Sequence, residues 1–270
     1  MIRQGTRWGS IVMGVMLFAL YVFLYAPVFY VIFASFSQDI VWPFPPAFSA
    51  MSYEDLFASS LYAGALVNSL TLGIGSAVLS TVLATGGAIG ILRYRARWRG
   101  LALLLFLAPL FVAELLIGIS TLAFNAKVLD LQGNMYSAIA ANAIPGTSFA
   151  FLIILSQLVR YDWAMDDAAM VFGAGPVRCF LEITLPIIWP CLFGAFLISF
   201  ILAFNNLEIS FYNLGAIPTL PSVAWGSLRF GLGPELFALA SMVNFVVFAI
   251  FAIMYVLMRY RIVQFGYRGS

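Results

Sequence analysis

Six stretches of this 270-residue chain are apolar and nearly free of charge, at about 11–36, 62–92, 101–124, 135–158, 187–204 and 236–258. A bilayer core of ~30 Å needs about 20 such residues per helical span. Transmembrane strands would instead show segments of about 10 residues alternating between apolar and polar. The runs here are continuous, so they predict helices. Composition agrees: 63% of residues are hydrophobic and 9% charged, against roughly 45–50% and about 25% in soluble domains. A soluble fold would lack polar side chains for its surface, and a disordered chain needs the opposite balance. The expectation is an all-α polytopic membrane protein with six spans and a single domain over residues 1–270.

Lys and Arg set the orientation of such a chain. With the N-terminus in the cytoplasm, the inner side holds Arg3, Arg7, Arg93, Arg95, Arg97, Arg99, Arg160, Arg178, Arg259, Arg261 and Arg268, eleven of the 13 basic residues. Lys127 and Arg229 are left outside. Both termini are therefore expected in the cytoplasm. The first run follows Arg3 and Arg7 but exceeds the 7–15 residues of a signal-peptide core, so it reads as an uncleaved span. The second run is rich in Gly and Ser, which let helices approach closely in lipid. Pro145-Gly146 predicts a kink in the fourth.

The segment from about 159 to 186 departs from this pattern. It is an inner connection, yet four acids (Asp162, Asp166, Asp167, Glu182) face two arginines. It is also longer than a plain connector needs. It reads as two short helices around Gly173 to Gly175. Asp162 caps the first, and Pro176 suits the first turn of the second. Val177, Phe180, Leu181 and Thr184 share one face at helical spacing, and Pro186 stops that helix before the fifth span. On the residues alone this is either an interfacial helix lying on lipid or a docking element for a cytoplasmic partner.

Asp167-Ala168-Ala169, then Gly173-Ala174, then Ile183, Leu185-Pro186 and Pro190 resemble in order and spacing the EAA motif of ATP-binding-cassette (ABC) importer permeases, with Asp167 in place of the usual Glu. Leu24-Tyr25-Ala26-Pro27, Asn68-Ser69-Leu70-Thr71-Leu72 and the stretch from Leu220-Pro221 to Ala240 resemble the spermidine/putrescine type, its second (C-type) permease subunit in particular. The resemblance implies the six-helix type I importer (MetI-like) fold. It also implies a homologous permease as partner, two ATPase subunits and an extracytoplasmic solute-binding protein. ATP and Mg would be bound by the ATPase chains, since no Walker phosphate loop occurs here. ATPase coupling would fall to Asp167, Ala168, Ala169, Gly173, Ala174 and Pro186.

The solute path is less defined. Where the subgroup carries adjacent acids at the end of the fifth span, this chain has Asn205 and Asn206, with Phe204 before them and Glu208 after. Those four residues and Glu114, an acid within the third run, are the path candidates. An intramembrane carboxylate is a functional hypothesis by default; the plainer reading of Glu114 is a hydrogen bond to a neighbouring helix, and of the asparagines a helix cap. The expected function is the permease subunit of an importer for a small organic solute, a polyamine, an opine-like or another amino compound, in the bacterial cytoplasmic membrane. The alternative is a stand-alone secondary transporter or channel with Glu114 as its ion site. Enzyme chemistry is not expected: the chain has no histidine, hence no common general base or Ser-His dyad. No metal site is expected.

Overall fold

In the computed structural model, residues 7–37, 48–93, 98–229 and 234–259 are described. The helices, in chain order, are α1 (Arg7–Ala34), α2 (Met51–Ala58), α3 (Ser60–Arg93), α4 (Arg99–Leu107), α5 (Glu114–Lys127), α6 (Met135–Leu158), α7 (Ala164–Val171), α8 (Pro176–Cys179), α9 (Leu185–Phe204), α10 (Glu208–Asn213), α11 (Leu220–Leu228) and α12 (Pro234–Arg259). Four helical stretches of the described residues are long and apolar enough to cross a membrane: Ile11–Ala34, Ser60–Arg93, Met135–Leu158 and Pro176–Phe204. The bent pair α4–α5 makes up to a fifth. The contacts cluster in two units.

The first unit joins α1 and α2 to the segment Ala224–Met254. Its polar centre is the Tyr53 hydroxyl, 2.7 Å from Ser35 Oγ and donating to Ser241 Oγ at 3.1 Å. Ser35 and Ser241 are fully buried, so one phenol links three segments where hydroxyls have no water to turn to.

The second unit, Leu61–Val223, is organised around α6. Small residues on α6 (Ala138, Ala141, Ala143, Gly146, Ala150) are buried and let neighbours approach its backbone. Ser76 and Ser80 of α3 donate to the carbonyls of Ile139 and Ala143, and Ser199 of α9 donates to that of Gly146. Further along, Phe151, Ile154 and Leu158 are fully buried among Ala84, Ala88, Ile188 and Ala195. Phe106 of α4 stacks on Phe151 at 4.6 Å and covers Gly87, where a Cβ would collide with the ring. α6 runs on through Pro145. The Thr147 and Ser80 hydroxyls both bond the nearby Ala143 carbonyl, and the Ser80 bond ties α3 to α6 at this point.

Three sequence expectations are corrected here. The run 101–124 is not one straight helix. A 3₁₀ turn, Ala108–Phe111, follows α4, and α5 leaves at 107°. Pro109 cannot donate to a continuing helix. Ala113 is extended, and Glu114 opens α5 in its first turn, where a carboxylate suits the helix dipole. Second, Pro186 does not stop a helix. The helix runs from Pro176 to Phe204 through a π-turn at Phe180–Thr184, closed by the Leu185 N–H bonding the Phe180 carbonyl. The wider turn accommodates the ring of Pro186, which would clash in a regular α-helix. Third, Val177 and Leu181 do not share a buried face with Thr184. They are exposed, and the buried pair is Cys179 and Thr184, five apart, as the π-turn's five-residue repeat brings to one side.

Candidate functional site

The α7–α8 segment is held from behind and bare in front. Asp166 is 5% exposed. Its carboxylate accepts hydrogen bonds from the Tyr161 hydroxyl at 2.8 Å and from the Thr184 hydroxyl at 3.1 and 3.2 Å. Burial raises the Tyr161 phenol above its ordinary value, so the phenol stays protonated and remains a donor. Asp167 points the other way and pairs with Arg93, the last residue of α3, at 2.6 Å. The Arg93 guanidinium also lies 5.2 Å over the Trp163 ring. Asp162 accepts from the Ala164 N–H at 3.0 Å and opens α7.

α7 ends in a Schellman motif. The Gly173 N–H bonds the Met170 carbonyl and the Ala174 N–H bonds that of Ala169. Gly173 takes φ +90°, a conformation that favours glycine. The turn presents Val171 (84% exposed), Phe172 (92%) and Val177 (70%). Among the coupling candidates, Ala168, Gly173 and Pro186 are exposed, and Ala169 and Ala174 are half-buried. Phe172 stands out at the turn as an exposed apolar knob. Burying such a knob in a partner is worth about 1.5–3 kcal/mol.

The path candidates separate. Asn206 is buried and donates to Glu114 Oε2 at 2.6 Å. Its own carbonyl oxygen accepts from the Ile209 N–H and opens α10. Asn205 is exposed and donates back to the Ile201 carbonyl of its own helix. Glu208 is exposed at the start of α10. Phe204 is buried and stacks on Phe200 at 5.5 Å.

Sequence reasoning missed what Glu114 and Asn206 belong to. α5 and α10 are joined along a seam. Gly118, one turn after Glu114, lies so near that a Cβ there would sit 3.1 Å from the Glu208 carbonyl oxygen and from Ile209 Cα. Next along, Asn213 donates to Thr121 Oγ1 at 2.9 Å and to the Gly118 carbonyl at 3.2 Å. Asn125 donates to Ser137 of α6 at 2.9 Å. Glu114, Gly118 and Thr121 fall at i, i+4 and i+7, and Asn206 and Asn213 seven apart. That helical spacing is the one signal that could have paired them. Among the described residues no cluster of ligand side chains could hold a metal ion.

No family model matches the chain. Pairwise comparison finds relatives. The putrescine transport system permease protein PotI of Escherichia coli is 29% identical over 231 residues, 83% of this chain and 82% of PotI. The spermidine/putrescine transport system permease protein PotC of Haemophilus influenzae is 26% identical over 230 residues, 83% of this chain and 88% of PotC. This chain resembles ABC importer permeases of the spermidine/putrescine type. A crystal structure of a bacterial ABC transporter that imports the acidic polysaccharide alginate superposes with a TM-score of 0.74, over 96% of this chain and 99% of that one, at 16% identity. That likeness carries the ABC permease fold. The α7–α8 turn and the α5–α10 seam are thus local features of an ABC-permease-like, multi-pass membrane protein.

Proposed function

We propose that the chain is the transmembrane permease subunit of an ABC importer in the bacterial cytoplasmic membrane. It has six spans and cytoplasmic termini, and it pairs with a homologous permease. Two ATPase subunits bind ATP and Mg and dock on the α7–α8 turn, and an extracytoplasmic binding protein delivers the solute. The observation that carries this reading is the turn itself: an exposed Phe172 beside Gly173, on a helix tied down by buried Asp166 on one side and by the Asp167–Arg93 pair on another. A rigidly backed apolar knob transmits a partner's movement, whereas a loose one would absorb it. Asp167, Ala168, Ala169, Gly173, Ala174 and Pro186 shape the docking surface.

The solute is a small amino compound, in keeping with the polyamine systems of the relatives. Glu114, held by Asn206, offers an anionic group for an ammonium, with Glu208 exposed nearby in the chain and Asn205 and Phe204 at the same helix end. A carboxylate–ammonium bond is stronger than a neutral one.

The test is purification of the tagged chain from its own membrane. The expected result is a second permease and two ATPase chains, with Phe172→Asp losing the ATPase chains while keeping the second permease. Solute transport by the purified chain alone in liposomes, without ATPase, would overturn the reading.

A further inference from the structure

A cavity of about 610 Å³ lies behind the α7–α8 segment, between the second half of α3 and the helix Pro176–Phe204, and the docking function does not use it. It is open along one side. Val82, Ile89, Phe180, Leu185 and Leu192 line it, and Asp166, its carboxylate engaged by Tyr161 and Thr184, also borders it. Gly86 and Gly90 form part of its α3 wall, and a Cβ at either would meet no atom within 4 Å. Gly73, Gly75 and Gly87 on the same helix do have side chains from neighbouring helices seated on them. The gap at Gly86 and Gly90 therefore has no occupant within the described chain.

Length and charge say what fits. The α3 wall runs from Thr81 to Arg93, about 18 Å at 1.5 Å per residue. One leaflet of the hydrocarbon core is about 15 Å deep. A lone ion or a compact metabolite would leave most of such a groove unfilled, whereas an acyl chain matches it. Arg93 closes one end. Its guanidinium has five N–H donors, of which Asp167 and the Trp163 carbonyl engage two. Arg95, Arg97 and Arg99 follow in the sequence, with no acid between Arg93 and Arg99. Trp98 is exposed beside them, a residue type that settles at headgroup level.

We propose that this groove binds one anionic phospholipid of the cytoplasmic leaflet, an acyl chain lying along Gly86 and Gly90 and the phosphate meeting Arg93. The proposal rests on the topology proposed above. It also gives the lipid a consequence. A phosphate on Arg93 competes with Asp167 for the same cation, so lipid occupancy loosens one of the two ties on α7 and makes coupling sensitive to anionic lipid.

Native mass spectrometry of the full complex tests it, with palmitoyl-oleoyl phosphatidylglycerol titrated against phosphatidylcholine of the same chains. The expected result is one phosphatidylglycerol retained per copy of this chain, preferred by about fivefold or more, the effect of one arginine near an anionic headgroup. Gly86→Leu/Gly90→Leu fills the groove, folds without a clash, and should lose the retained lipid. Arg93→Gln should keep a lipid but lose the preference for phosphatidylglycerol. Equal retention of both lipids by the parent, or unchanged retention by the double-leucine variant, would overturn the proposal. Displacement by glycerol phosphate alone would overturn the acyl-chain site in favour of a free-phosphate site. Loss of the second permease from the double-leucine variant, with lipid unchanged, would make the groove a permease interface instead. Labelling of Trp98→Cys by a membrane-impermeant maleimide on intact cells would overturn the topology; the ATPase co-purification would stand or fall separately.

Discussion

Asp166 and Asp167 on α7, and Asn205 and Asn206 before the α5–α10 seam, are two adjacent polar pairs, each with one buried and one exposed member. Asp166 and Asp167 are neighbours on α7 and point about 100° apart, whereas Asn205 and Asn206 lie in the turn between α9 and α10; in each pair one member turns in and the other out. Asp166 and Asn206 are buried and hold elements together; Asp167 and Asn205 lie at the surface. The two regions differ in the chemistry of the buried member. At α7 a buried carboxylate accepts hydrogen bonds from two hydroxyl donors behind an exposed apolar turn. At the seam a neutral amide holds a carboxylate, Glu114, that stays half-exposed. The first arrangement holds the back of an exposed apolar surface in place, which suits the partner docking proposed above. The second keeps a charge accessible.

Variants can break that comparison. The largest effect is expected from Asp166→Ala. It strands the Tyr161 and Thr184 hydroxyls, and hydrogen bonds to a buried charge are worth about 1.5–3 kcal/mol. A destabilisation of about 3 kcal/mol with loss of uptake is expected, read as lost hydrogen-exchange protection of α7. Tyr161→Phe keeps the ring and should lose about a third of that.

Next comes Asn206→Leu. It removes both the bond to Glu114 and the cap at Ile209, about 2 kcal/mol together. Asn205→Ala, one residue away, should change thermal stability by less than about 0.5 kcal/mol, as surface substitutions do. If both variants behaved alike in a melting series, the seam would not depend on Asn206.

Gly173→Ala forces a Cβ onto φ +90° and should cost about 1–3 kcal/mol of local strain. Space is not the obstacle, since no atom lies within 4 Å of that Cβ. Uptake should fall severalfold while membrane insertion is unchanged, and Gly173→Trp should uncouple ATP hydrolysis from transport. Normal uptake by either variant would remove Gly173 from the coupling surface.

Asp167→Asn should have a small effect, close to that of Asn205→Ala. Its pair with Arg93 leaves the Asp167 side chain 64% exposed, and exposed ion pairs contribute only about 0.2–1 kcal/mol. A stability loss within that range, with a larger loss for Asp166→Ala, sharpens the contrast between the paired aspartates. The reverse order would mean that Arg93, not the Tyr161–Thr184 clasp, holds α7.

Much was legible before folding. Continuous apolar runs mark α1, α3, α6 and α9, because a bilayer accepts little else. The Asp162, Gly173 and Pro176 signals mark the α7–α8 turn, because caps, left-handed backbone and proline are local demands. The sequence by itself therefore determined where the main helices lie and where the α7–α8 turn is. The tertiary structure alone decided the rest. The break at residues 108–113 is as apolar as the helices around it, so hydropathy cannot separate a bent pair from one span. The π-turn shifts which side of residues 176–184 faces inward, a one-residue change that periodicity does not record. Glu114 and Asn206 stand 92 residues apart in the chain; only the packing of α10 against Gly118 brings the carboxylate to the amide.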